Sequence, residues 1–131
     1  MNSKISIYHN PRCRKSREAL DYLNNSGIDY NLVLYLSNPL SKITLENLLF
    51  KLKINAIDLI RKNELLWKSE FSKKNLIENE IISIMLENPK LIERPIIENE
   101  NSAVVGRPIE KLIDLKVSKN LLNPKVLGRV K

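Results

Sequence analysis

An α/β fold with a mixed sheet of about four strands is what this sequence predicts, and three observations carry it. A strand–helix–strand unit of about 30 residues opens the chain, long enough for the crossover that joins parallel strands. Two short extended runs in the last third are separated by a tight turn. Between these regions apolar residues recur at helical spacing, with Pro and Gly at the boundaries.

The segment "KISIYH" (4–9) alternates apolar and polar residues and ends at Asn10-Pro11, so it reads as a strand running into a turn. From Arg14 to Ser26 the positions Ala19, Leu20 and Leu23 share a helical face, and Gly27 supplies the stop. "DYNLVLYL" (29–36) is the second strand, and Asn38-Pro39 breaks the pattern after it. "ITLENLLFKLKI" then places Leu45, Leu48, Leu49 and Leu52 on one side of a helix. A short helix over Ala56–Lys62 follows from Ile57 and Ile60. A longer one over Asn75–Glu87 follows from the stripe Ile77, Ile81, Ile84 and Met85, which reads as core. "RPIIENE" and "SAVVGR" form two strands turning near Asn99–Ser102, and Pro108 suits the start of a last helix over Ile109–Val117. This order, with a thiol directly after the first strand, is thioredoxin-like with a helical insertion at about 40–90. The domain spans 1–119, and 120–131 is a basic tail.

A chain of 131 residues fits one domain, and a chain of that size buries roughly two-thirds of its unfolded surface. Neither a signal-peptide run nor an apolar stretch of membrane-spanning length is present, so no membrane association is expected. One cysteine excludes an intrachain disulfide, and the expected setting is the reducing cytoplasm. The net charge of +7 is concentrated in residues 1–20 and 111–131, around a slightly acidic middle. Such ends attract anions. The C-terminal end lacks aromatic residues on which bases stack, so nucleic acid is not an expected partner.

Cys13 is the only cysteine and His9 the only histidine. A lone cysteine reads first as a small buried core residue and only second as a reactive thiolate. Its place in a strand-to-helix turn favours negative charge, because first-turn N–H groups lack helical partners. Arg12, Arg14 and Lys15 either add positive field or point into solvent. Ser16 stands where dithiol redox proteins keep a second cysteine; its hydroxyl can bond a thiolate but cannot resolve a disulfide. Thiolate fraction alone explains little of the rate. Lowering a thiol pKa from about 8.5 to ~6 raises that fraction roughly 30-fold at pH 7, while the less basic sulfur loses about 13-fold in nucleophilicity. A positive environment therefore serves chiefly to hold an anionic partner. His9 acts either as a base toward Cys13 or simply in packing. One His with one Cys makes no zinc site, so no metal is expected. A phosphatase loop of the Cys-x5-Arg type fails because residue 19 is Ala19.

The stretches "YHNPRCRKSREAL", "LIRKNE", "LIERPII" and "VVGRPIE", in this order, resemble the glutaredoxin-coupled arsenate reductases of the thioredoxin superfamily, over about Ile5 to Val117. The resemblance implies that Cys13 is the nucleophile toward arsenate, that Arg61, Arg94 and Arg107 bind the oxyanion, and that His9 tunes the thiol. It also implies that Pro95 is the cis-proline facing the cysteine. Planar guanidinium groups suit two-pronged contact with a tetrahedral oxyanion better than lysine does. Reducing As(V) to As(III) takes two thiols and the chain owns one, so glutathione is the implied co-substrate and glutaredoxin the implied partner, in arsenic detoxification without a bound cofactor. Two other functions remain on the residues alone: an Spx-like RNA polymerase-binding regulator, whose Cys-x-x-Cys switch Ser16 would interrupt, and a glutathione-dependent thiol reductase of another substrate.

Overall fold

The structure is a computed structural model, and it describes residues 5–106. These fall into two compact units, one formed by residues 5–34 and 94–106, the other by Tyr35–Glu93. In the first, a helix α1 (Arg14–Asn25) connects strands β1 (Ser6–Tyr8) and β2 (Asn31–Val33), and the chain returns as β3 (Ile96–Glu98) and β4 (Ala103–Val105). The sheet has the order β2-β1-β3-β4, with β1 parallel to β2 and antiparallel to β3, and β3 antiparallel to β4. The predicted mixed four-stranded sheet is thus present. Its strands are shorter than the extended runs that announce them, because β2 is an edge strand on which Asn31 and Leu32 are exposed.

Alternation sorts the side chains. Ile7 lies opposite Ile97 in the register, and both join Ile5, Ala19 and Leu23 in a buried cluster that seats α1 on the sheet. Ala19 and Leu23 are four apart on one helical face, as predicted, and Ser16 extends the same face. α1 ends at Ser26, and Gly27 adopts φ 69°, a left-handed angle that costs glycine no steric clash. The β3–β4 turn is held by Asn99, which is buried. Its N–H donates to the Ser102 carbonyl at 2.8 Å, and its Oδ1 accepts the N–H groups of Asn101 and Ser102 at 2.9 and 2.8 Å.

The second unit contains α2 (Lys42–Leu52), α3 (Leu65–Glu70) and α4 (Glu78–Glu87), with 3-10 turns at Ala56–Leu59 and Pro89–Leu91. Ser41 caps α2 by accepting the Thr44 N–H at 3.1 Å, and Leu45, Leu48 and Leu49 are buried as the spacing requires. Two expectations are corrected, and one helix was not foreseen. Ala56–Leu59 is a 3-10 turn rather than a helix reaching Lys62. α4 starts at Glu78, so Ile77 sits outside it, 66% exposed, and its N–H donates to the Glu80 carboxylate at 2.9 Å; Ile82 takes its place in the core. α3 has no counterpart in the sequence reading, since its six residues are too short to establish a period, although Trp67 anchors it and packs on Phe71 with ring centroids 5.8 Å apart. The expected final helix and basic tail lie outside the described residues. No helix among the described residues is long and apolar enough to cross a membrane.

Leu23 is 4% exposed in the cluster that seats α1 on the sheet, so Leu23→Ala leaves a cavity under α1. It is expected to destabilise the protein by about 2–5 kcal/mol, read as a lower urea midpoint with an unchanged m-value.

Candidate active site

The loop from β1 into α1 is organised by its own sequence. Cys13 N–H donates to the Asn10 carbonyl at 3.0 Å, closing a turn in which Pro11 takes the position where its fixed φ is favourable. Asn10 Oδ1 accepts the Arg12 N–H at 2.9 Å, and Arg17 Nη1 donates to the Pro11 carbonyl at 2.8 Å. Cys13 then begins α1 as its N-cap, in extended geometry (φ −93°, ψ 122°), with no side chain capping the helix start. A thiol thus stands where an oxygen usually caps. Cys13 is 8% exposed.

Both alternatives for the basic neighbours now have an answer. Arg12 is exposed, while Arg14 Nε and Lys15 Nζ reach Glu18 at 3.4 and 3.6 Å. Arg14 and Lys15 therefore serve a surface carboxylate one turn along, where screening leaves little field. The positive end of α1 itself remains directed at the turn that holds Cys13.

His9 and Ser16 are both buried beneath this loop. Ser16 Oγ accepts the Asn10 N–H at 3.0 Å and lies 2.7 Å from His9 Nδ1. The hydroxyl that the sequence offers to a thiolate is thus engaged by His9 and by the loop backbone. Its own proton is free for another acceptor only when Nδ1 carries the imidazole proton. Burial, and then the Arg17 charge, hold the His9 imidazole below its ordinary value, with the Ser16 bond acting the other way. The shift favours the neutral imidazole at pH 7. Beside it, Tyr8 donates to Glu98 Oε1 at 2.7 Å; burial first, then this bond and the Glu98 charge, hold the phenol far above its usual range, so it stays a donor.

The sheet register gathers part of the remaining set. Tyr8 pairs with Ile96 and Ile96 with Val105, so His9, Pro95 and Gly106 all lie just past the same end of three adjacent strands. Gly106 N–H donates to the Pro95 carbonyl at 2.9 Å, which fixes that end. The Arg94–Pro95 peptide bond is cis. Arg94 is half-buried, with Nε and Nη1 shielded from solvent. Arg107 lies outside the described residues. Arg61 belongs to the other unit, where Nη1 pairs with Glu64 Oε2 and Nε lies 3.8 Å from Glu93 Oε1. No group of three or more His, Cys, Asp or Glu side chains among the described residues could hold a metal ion. Sequence reasoning missed Asn10, Arg17 and Glu64. The first was visible as half of a turn pair, and Glu64 as an acid three residues past Arg61.

The family model for ArsC matches residues 8–114. The chain belongs to the ArsC family. It is 42% identical over 117 residues to the uncharacterised protein YfgD of Escherichia coli K12, covering 88% of this chain and 98% of that one. It is 37% identical to the arsenate reductase of Haemophilus influenzae, covering 85% and 97%. Among solved structures, the arsenate reductase from Vibrio cholerae superposes with a TM-score of 0.81 at 36% identity, over 87% of this chain and 98% of that one. The family's thioredoxin-like fold is the one described above, with its four-stranded mixed sheet.

The depressed His9 pKa has a testable sign. Between its folded value and about 6.5 the unfolded chain binds more protons than the folded one, so stability falls as pH drops from about 6.5 toward the folded value. In His9→Gln that part of the loss should vanish, measured as the urea midpoint of wild type and variant across pH 7 to 5.

Proposed function

We propose that this protein reduces arsenate to arsenite, with Cys13 as nucleophile and glutathione and glutaredoxin supplying the further thiols. The observation that carries the reading is family membership over residues 8–114, at 37% identity to an arsenate reductase, in a chain whose one cysteine opens α1. The Cys13 thiolate attacks arsenic and expels water or hydroxide, which forms an S–As bond. A glutathione thiol attacks next. When sulfur bonds to sulfur, the electron pair of the S–As bond stays on arsenic, and this is the two-electron reduction. Glutaredoxin then takes up the glutathionyl group and restores Cys13.

The chain's own residues have defined parts in this scheme. The start of α1 stabilises negative charge on sulfur and on the approaching oxyanion. A neutral His9 leaves the thiolate's charge uncompensated by imidazolium, so the burden of charge stabilisation falls on the helix terminus and on arginine. Arg61, Arg94 and Arg107 are the oxyanion-binding residues, and Pro95 faces the thiol, roles that the family resemblance supplies. Neither a metal nor a bound organic cofactor enters any step.

Cys13→Ser should reduce arsenate turnover, measured with glutathione and glutaredoxin, to background. Arg94→Ala should raise KM for arsenate about 10- to 100-fold, the usual worth of a charge-assisted hydrogen bond. Turnover that survives Cys13→Ser would remove the cysteine from the mechanism. Sustained turnover by the protein alone, without any external thiol, would remove glutathione.

A further inference from the structure

Arg61 is held among carboxylates by its own local fold. Its N–H donates to the Leu91 carbonyl at 2.7 Å, and the Glu93 N–H donates to the Leu59 carbonyl at 2.9 Å, on either side of an antiparallel bridge between Ile60 and Ile92. In that antiparallel register Arg61 lies opposite Leu91 and Glu93 opposite Leu59, so Arg61 and Glu93 are diagonal neighbours on one face. On the other side a turn closes when the Glu64 N–H donates to the Arg61 carbonyl at 3.0 Å, and this brings the Glu64 carboxylate back onto Nη1. The three side chains are 20, 26 and 34% exposed for Arg61, Glu64 and Glu93, so the pairing is only partly open to water.

Two consequences follow from charge and shape. Carboxylates beside a guanidinium compete with an approaching anion for its N–H groups. A guanidinium also makes its two-pronged bonds along one of two edges, the Nε edge or the edge between the two Nη atoms. Glu93 lies on Nε and Glu64 on Nη1, so each edge already shares a nitrogen with a carboxylate. An anion approaching either edge therefore meets one of these carboxylates, in contact at Nη1 or at ion-pair distance from Nε.

We propose that Glu64 is an intramolecular competitor for the oxyanion position on Arg61, a carboxylate that substrate must displace and that sets the affinity of this protein for anions. The proposal rests on the oxyanion-binding role given to Arg61 above. Glu64 is the principal competitor because it is in direct contact, whereas Glu93 stands at 3.8 Å. Glu64→Gln keeps the shape of the side chain and removes its charge.

The test is calorimetric titration of inorganic phosphate, a tetrahedral oxyanion that thiols do not reduce, into the full-length wild type, Glu64→Gln, Arg61→Ala and the double variant. Urea midpoints confirm that each is folded. Phosphate should bind Glu64→Gln about 1.5- to fivefold more tightly than wild type, the range for releasing a partly exposed ion pair. Glu93→Gln should give a smaller gain. The effect of Glu64→Gln should disappear in the Arg61→Ala background. Unchanged or weaker phosphate binding by Glu64→Gln overturns the proposal, as does failure of either protein to bind phosphate. A gain that persists without Arg61 also overturns it, because it would then reflect net charge alone. Arsenate turnover is measured on the same proteins. Tighter phosphate binding by Glu64→Gln in a protein that does not reduce arsenate upholds the competitor and discards the reductase reading instead.

Discussion

The antiparallel pairing of β1 with β3 is the contact on which the first unit depends. Three residue pairs define it, Ser6 with Glu98, Ile7 with Ile97 and Tyr8 with Ile96. A slip of β3 by one residue would turn Ile97 to the other face, away from Ile7 and α1, because side chains alternate between faces. The same register sets Pro95 beside His9 at the end where the chain leaves β1 for the cysteine turn. Core packing and the placement of chemistry are thus consequences of one alignment. The hydrophobic pairing of Ile7 with Ile97 makes any other alignment costly.

Around Cys13 the protein relies on geometry more than on nearby charge. The basic residues flanking the cysteine are drawn off to Glu18 or to solvent, and burial favours the neutral form of the imidazole beneath it. What remains is a helix terminus whose start no side chain caps, presented by a turn whose other amide groups are occupied. Ser16 holds that turn from below through the Asn10 amide, so a residue standing at a redox position is also a structural bond of the loop.

Much of this was legible in the sequence, and the reasons differ by element. α1 could be read because Ala19, Leu23 and Gly27 each obey a local rule, and the hairpin because Asn99 and Ser102 are turn residues. α3 could not be read, since six residues hold too few turns to show a period. Ile77 misled because an apolar residue at the right spacing can still fall one position outside a helix. At the site, Cys13 and His9 were conspicuous as single occurrences. The direction of Arg14 and Lys15 was not, because an exposed side chain chooses its partner by rotamer and proximity, which no pattern encodes. Arg61 stood out through the family motif, while the carboxylate on its Nη1 became meaningful only once the turn was seen to close.

The hairpin between β3 and β4 turns at the far end of its strands from His9 and Pro95. Glu100 and Asn101 at its tip are exposed, and the buried Asn99 holds its shape by accepting from the Asn101 and Ser102 N–H groups. The tip is therefore insulated from the chemistry by the full length of two strands. A fluorophore or affinity handle attached at position 101 would report on the molecule from a distance, leaving the cysteine end of the sheet undisturbed.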